Sequence, residues 1–312
     1  APRRSLSSVG VFLCAGRAFT MSQRLVGPAA LLTAAFCWGL LGPVARIALR
    51  DGVAPLEIAF WRAVLGGLLF AGHAAVMRRR TAGSRARHLR GWDLVAVLAF
   101  GLIGVSLFYA AYQLAIQEGG AALASVLLYT APAWVAVIGV WGLGERMTRT
   151  KALAIGLTLT GIVGIAASGA QTVHVSWAAI AWGLVSALSY ALYYPFGTHY
   201  FDRIAPATIF AIALPVGALG LLPLVSFHPK TAAAWGAIAF IGGVSTYGAY
   251  LAYAVGLQRM EASRASILAT LEPVVAAVVA HLWWHERFGP WGYAGAVLVL
   301  AAAFLAATDE SG

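Results

Sequence analysis

Two charged residues stand inside long apolar runs of this sequence: Arg62 in EIAFWRAVLGG and Glu272 in LATLEPVVAAV. A charge in hydrocarbon is costly, and residues kept there commonly serve a substrate or ion path. Arg62 has the chemistry to bind a carboxylate; the alternative is that it snorkels its guanidinium to the interface. Glu272 can hold an amine, carry a proton, or hydrogen-bond a neighbouring helix. Aromatic residues supply the rest. Tyr109, Tyr112 and Gln113 share one helical face, because separations of three and four residues return to the same side. Tyr250 and Tyr253 repeat that face further on, extended by Thr246 and Tyr247. Trp38, Tyr129, Tyr190, Tyr193 and Tyr194 lie within apolar runs. Small-molecule pockets are mostly apolar with a few directing polar groups. The candidate substrate-binding set is therefore Trp38, Arg62, Tyr109, Tyr112, Gln113, Tyr129, Tyr190, Tyr194, Thr246, Tyr250, Tyr253 and Glu272. Packing between helices is the other reading of each aromatic. Pro132 and Pro273 each remove a helical hydrogen bond and are candidate hinges for gating helices; a static kink is the alternative.

The elements that must carry these residues follow from composition. Of 312 residues, 61% are hydrophobic and only 10% charged, against about a quarter charged in ordinary globular domains. Apolar runs of roughly the twenty residues needed to cross a bilayer are expected near 28–49, 55–77, 93–114, 120–143, 150–168, 175–197, 206–226, 234–256, 264–284 and 290–307. No strand-like alternation recurs, so the fold class is an all-α integral membrane protein with ten transmembrane helices. The net charge of +10 sits in short loops between the runs and reports topology; it does not call for nucleic acid as a partner. Sixteen Lys or Arg residues fall on the side holding the N-terminus and four, Arg46, Arg50, Lys230 and Arg287, on the other. With Arg62 inside a span they make up the 21 in the chain. This bias expects both termini in the cytoplasm. Trp92, Trp177, Trp235, Trp283, Trp284 and Trp291 fall near span ends, where an aromatic belt would sit.

The chain is also duplicated. An offset of 141 positions pairs Tyr109 with Tyr250, Tyr112 with Tyr253, Gln117 with Gln258, Ser125 with Ser266, Pro132 with Pro273 and Glu145-Arg146 with Glu286-Arg287. Asp51 and Pro55 match Asp202 and Pro206, so each copy holds five helices. Five is odd, and the second copy must cross the membrane in the opposite sense. The expected organisation is an N-terminal extension over 1–27, a first five-helix repeat over 28–168, an inverted second repeat over 175–307 and a tail over 308–312. Inverted repeats of this kind build two opposed gates around one mid-membrane site in many secondary transporters. The two Glu-Arg pairs are expected to terminate helices and pair at the interface. Gly242-Gly243, just before Tyr247, is a candidate for loosening a helix that must bend.

Other chemistries find little support. His281 and His285 have the spacing of a helical metal site, but no third ligand converges on them except Glu286, and no metal or cofactor is expected. Cys14 and Cys37 lie in apolar surroundings with no spacing for a disulfide framework. The 11 acidic residues form no cluster that would hold a catalytic metal, so an integral-membrane enzyme is disfavoured. No GxxxxGK[ST] loop is present to bind ATP, so transport is expected to be facilitated or driven by an ion or proton gradient. A passive channel is the competing membrane function.

TAAFCWG (33–39), FWR (60–62), the segment from Ala124 to Pro132 followed by GER (144–146), LEPV (271–274) and HER (285–287) together resemble the drug/metabolite transporter superfamily, in its EamA group. The resemblance covers roughly 28–307 and is carried by the order and doubled occurrence of short motifs. It implies a ten-helix inverted-repeat carrier in the bacterial inner (plasma) membrane, working by alternating access as a monomer. Many members export amino acids or related metabolites, and the chain is most similar to the YddG-type amino-acid exporters. Sugar-phosphate, nucleotide-sugar and drug carriers share the fold; the later helices here have no central Lys or Arg to clamp a phosphate.

Overall fold

A computed structural model describes residues 21–80, 91–168, 175–285 and 289–308. The greater part of the N-terminal extension, Glu286-Arg287 and the last four residues of the tail lie outside them. Among the described residues every regular element is helical. Nine stretches are long and apolar enough to cross a membrane, and Ala131–Gly142 is a shorter apolar helix. One of the nine, Gly91–Leu128, runs to 38 residues. Gly120 inside it has φ 84° and ψ 160°, a conformation that glycine adopts without a Cβ penalty. The Tyr112 hydroxyl lies 3.1 Å from the hydroxyl of Ser125, yet thirteen residues of straight helix would separate them by about 20 Å. The chain therefore doubles back at Gly120, and ten spans result, as the apolar runs predict.

We label them α1 (Leu25–Arg50), α2 (Pro55–Arg80), α3 (91–119), α4 (121–142), α5 (Arg149–Ala167), α6 (Trp177–Tyr200), α7 (Pro206–Leu224), α8 (Ala232–Leu257), α9 (Ala262–Trp284) and α10 (Pro290–Thr308). The two copies interlock. α2 packs on α7 and α5 on α10, while α1 against α8 mirrors α6 against α3 and α4. Small residues permit these approaches where lipid gives no hydrophobic drive for helix association. A methyl added to Gly66 of α2 would lie 2.7 Å from Thr246 Cγ2 of α8, and Gly217 of α7 is closed by Val105 of α3 in the same way. Gly242 against Leu65 repeats as Gly101 against Val216. Each of these contacts maps onto its twin under the sequence offsets that define the repeat, so the duplication is realised as paired packing.

The irregularities are doubled too. α3 contains a π-helical segment at Gly101–Leu107 and α8 one at Ile241–Gly248; such widened turns are rare and concentrate at functional sites. α1 breaks at Leu40, α6 at Leu192, α4 at Tyr129-Thr130 and α9 at Leu271 with Thr270. Two or three residues after each break stands a proline: Pro43, Pro195, Pro132 and Pro273. Proline has no N–H for the carbonyl four residues earlier, which releases Gly39, Ala191, Leu128 and Ala269 from the helical ladder. Pro132 and Pro273 occupy the second position of the segments Ala131–Gly142 and Glu272–Trp284, where a missing N–H is tolerated. They thus start new helical segments instead of bending continuous ones.

A cavity between the two repeats as the candidate functional site

The broken helices surround a cavity of about 960 Å³ lined by α1, α2, α3, α4, α5, α6, α8 and α9. Its walls carry many aromatic side chains. From α3 come Phe108, Tyr109 and Tyr112, from α6 Tyr190, Tyr193 and Tyr194, and from α8 Tyr250 and Tyr253; α1 adds Trp38 and α4 Tyr129. These rings pack against one another around the cavity. Tyr253 stacks edge-on to Tyr194 at 5.6 Å, Trp38 meets Tyr250 at 5.9 Å and Tyr253 at 5.8 Å, and Phe108 stacks on Tyr190 at 5.6 Å. Buried phenols need partners, and they find them locally. Tyr193 donates to Gly104 O at 2.7 Å, on the π-helical segment of α3, and Tyr253 donates to Tyr193 O at 2.8 Å. Tyr190 and Tyr194 hydroxyls are 3.3 Å apart.

Two ionisable side chains enter this aromatic box. Arg62 is 6% exposed, so it does not snorkel. Its Nε donates to Thr246 Oγ1 at 3.0 Å, Nη2 reaches Ser245 O at 3.5 Å, and its guanidinium carbon lies 5.2 Å from the centre of the Tyr109 ring. Glu272 begins the second segment of α9 and lines the cavity together with Tyr129 and Arg62. Gly39, at the α1 break, lies against it: a Cβ there would sit 2.8 Å from the Glu272 carbonyl oxygen. The symmetry is broken at these two charges. The position of Arg62 in the second copy is Ala213, and that of Glu272 in the first is Ala131. A cation on one side and a carboxylate on the other, set among paired tyrosines, can orient a small molecule carrying both charges.

The cavity opens at one end of the molecule, past Ala121, Ala122, Ser168, Arg46 and Trp284. Trp284 donates to Pro43 O at 3.1 Å, and Arg50 and Arg46 lie over its ring at 4.1 and 5.1 Å, which ties the end of α9 to α1 at the rim. At the opposite end, beside a separate pocket of about 450 Å³ that Glu145, Glu261 and Arg264 help to line, the two copies are tied together. Glu145, after α4, accepts from the backbone of Ala262 at the start of α9 at 2.7 Å, and Lys151 bridges Glu145 and Glu261.

Ten of the twelve residues expected at the site line this cavity. Gln113 does not; Tyr112 faces inward, and the next residue is turned about 100° from it, beyond the lining arc. Thr246 does not line it either. It is 1% exposed between α2 and α8, where it holds Arg62. Of the two prolines, Pro273 reaches the wall and Pro132 is buried behind it. Tyr247, grouped with the α8 face, points away and lies 3.0 Å from His73 Nδ1. Phe108, Ser125, Arg46 and Trp284 are lining residues that the sequence reading did not select. For Arg46 and Trp284 the signal is periodic: Trp38, Gly42 and Arg46, like Pro273, Ala277, Ala280 and Trp284, step along one face at intervals of three to four. Trp284 is thus a rim residue, whereas Trp92, Trp177 and Trp291 are exposed as a belt requires. Among the described residues no three His, Cys, Asp or Glu side chains gather as a metal site.

Comparison with known proteins places this architecture. A solved crystal structure matches 92% of this chain and 97% of its own with TM-score 0.76 at 18% identity, a likeness of fold alone. An uncharacterized transporter of Archaeoglobus fulgidus is 28% identical over 281 residues, spanning 88% of this chain and 95% of the relative. A probable terminal-alkyne amino-acid exporter of Streptantibioticus cattleyicolor is 26% identical over 287 residues, spanning 88% and 91%. The EamA-like transporter family matches residues 25–167 and 177–308, the two copies in turn. The chain, a multi-pass membrane protein with the doubled helices and central cavity described above, belongs to the EamA-like transporter family.

Proposed function

We propose that this protein is a secondary carrier that exports a zwitterionic metabolite of the amino-acid class across the bacterial inner membrane by alternating access. The observation that carries this reading is the pair Arg62 and Glu272. Each is present in one copy only, both face one aromatic cavity, and together they complement the carboxylate and the ammonium of a zwitterion. A solute bound between them has a single orientation, although the tyrosine walls are two-fold. Amino-acid chemistry also agrees with the name of the Streptantibioticus relative, a probable terminal-alkyne amino-acid exporter. By the excess of positive charge on the N-terminal side, the cavity mouth faces away from the cytoplasm, which is the state from which an exporter releases its cargo. Coupling to protons would run through Glu272, the carboxylate in the cavity wall.

Counterflow in proteoliposomes tests the reading. With a panel of labelled amino acids, amines and sugar phosphates, saturable exchange of amino acids that is lost in Arg62→Ala is expected. Exchange of phosphates only, or flux without saturation and without trans-stimulation, would replace it with a phosphate carrier or a channel.

A further inference from the structure

The two ends of the protein are built unequally, and the inequality is visible in the GER motif. α4 ends at Gly142, and Gly144 adopts φ 73°, the left-handed turn that closes helices through glycine. The Glu145 backbone N–H then returns to Gly139 O at 2.9 Å, so its side chain folds back over the helix. Gly139 leaves the room: a Cβ there would sit 2.8 Å from Glu145 Oε2. Held in this way, the carboxylate reaches the second copy. Oε1 accepts from Ala262 N at 2.7 Å and Oε2 from Ser263 N at 3.3 Å and from the Ser263 hydroxyl. Lys151, 3% exposed, lies 3.9 Å from Glu145 Oε2, pairs with Glu261, and donates to Arg146 O at 2.9 Å. One carboxylate thus satisfies backbone donors at the start of α9, and a buried lysine lies between it and Glu261. The motif therefore serves contact between the copies; its glutamate is not an interfacial partner of Arg146.

Of these groups the corresponding positions keep the glutamate, Glu286, which lies outside the described residues, and lack the others. The repeat places Gly292 where the first copy has Lys151, Gly120 opposite Glu261 and Ala122 opposite Ser263. Ala122 lines the mouth of the cavity. We propose that Glu145, Lys151 and Glu261 form an ion-paired latch on one end only, and that this latch makes the unloaded carrier rest with its cavity open at the Trp284 end. The inference rests on the carrier reading but not on the identity of the solute. A two-state equilibrium follows the difference in contacts between its states, and charge-assisted bonds that exist in one state alone supply that difference. During transport the latch must open for the solute to reach the site from the Glu145 end.

Ser125 and Ser266 are equivalent positions that report the two states. Ser125 lines the open cavity and Ser266 is 2% exposed toward the Glu145 end. In a background with Cys14 and Cys37 replaced by serine, each would be changed to cysteine and its labelling rate by a water-soluble maleimide measured in the full-length purified protein without solute. Fast labelling of Ser125→Cys and slow labelling of Ser266→Cys is expected. Adding Lys151→Ala or Glu145→Gln should change the ratio of the two rates by at least about tenfold toward Ser266→Cys. Lys151→Arg, which keeps the charge, should leave the ratio near its starting value and guards against loss of fold, checked by a monodisperse gel-filtration peak. An unchanged ratio in folded Lys151→Ala and Glu145→Gln overturns the latch, and so does an equal change in Lys151→Arg. No solute enters this measurement, so failure of amino-acid counterflow would leave the latch standing, and failure of the latch would leave the counterflow result standing.

Discussion

Arg62 Nε donates to Thr246 Oγ1 at 3.0 Å, so the cation of the first repeat is held by the second. The bond holds the guanidinium beside the Tyr109 ring, Nη2 also reaches Ser245 O, and the other N–H groups can serve a carboxylate. A lysine keeps the charge but not the planar fork. Arg62→Lys should therefore raise the KM for counterflow by about tenfold, the effect of losing one good charge-assisted hydrogen bond. Thr246→Val should raise it by a smaller factor, since the charge stays in place.

Tyr109 and Tyr250 are equivalent positions of the two copies and both line the cavity, and Trp38 rests on Tyr250. Replacing either tyrosine by alanine removes an aromatic wall without touching the latch or the rim. Tyr109→Ala and Tyr250→Ala should each reduce initial transport rates by at least about fivefold, a loss of about one aromatic contact, with membrane expression unchanged by immunoblot. Normal rates in both would remove those faces from the site.

Glu272 is the carboxylate that shares the cavity with Arg62. If it exchanges its proton for the solute ammonium, the rate must change with pH as long as that carboxyl is present. Initial rates of the parent protein between pH 5.5 and 8.5, a range of about three units around neutrality, should be pH-dependent, and Glu272→Gln should flatten the profile. A profile of unchanged shape in the variant excludes Glu272 as the proton carrier.

A second buried charge cluster lies at the open end. Glu57, fully buried at the start of α2, accepts from His228 N at 3.2 Å and pairs with Lys230, which is set between Trp61 and Trp235. The cluster clamps the α7–α8 connection onto α2. Removing one partner of a buried pair leaves an uncompensated charge, whereas removing both is far milder. Glu57→Ala should lower the melting temperature in detergent by at least about 5 °C, and Glu57→Ala with Lys230→Met should recover most of it.

Much of this protein was legible before folding. Apolar run length reports spans because backbone groups in lipid must pair internally, and the charge bias with an odd helix count implied inversion. The tyrosine pairs, Arg62 and Glu272 stood out because polar groups at such depth are rare. What the sequence could not decide is which neighbours a helical face meets. Gln113 and Thr246 were on promising faces, yet one falls outside the lining arc and the other braces Arg62. Arg46 and Trp284 read as interface residues, and become a cavity rim only because broken α1 and α9 bring them together. Glu145 read as a helix end, and its bond to Ala262, 117 positions on, depends on how the repeats dock. Sequence alone determined a helical membrane protein with doubled motifs and two unmatched charges, and raised the expectation that its copies are inverted, because periodicity and hydropathy are local properties. Which end is open and which is latched was decided only by tertiary structure, because that choice lies in contacts between residues far apart in the chain.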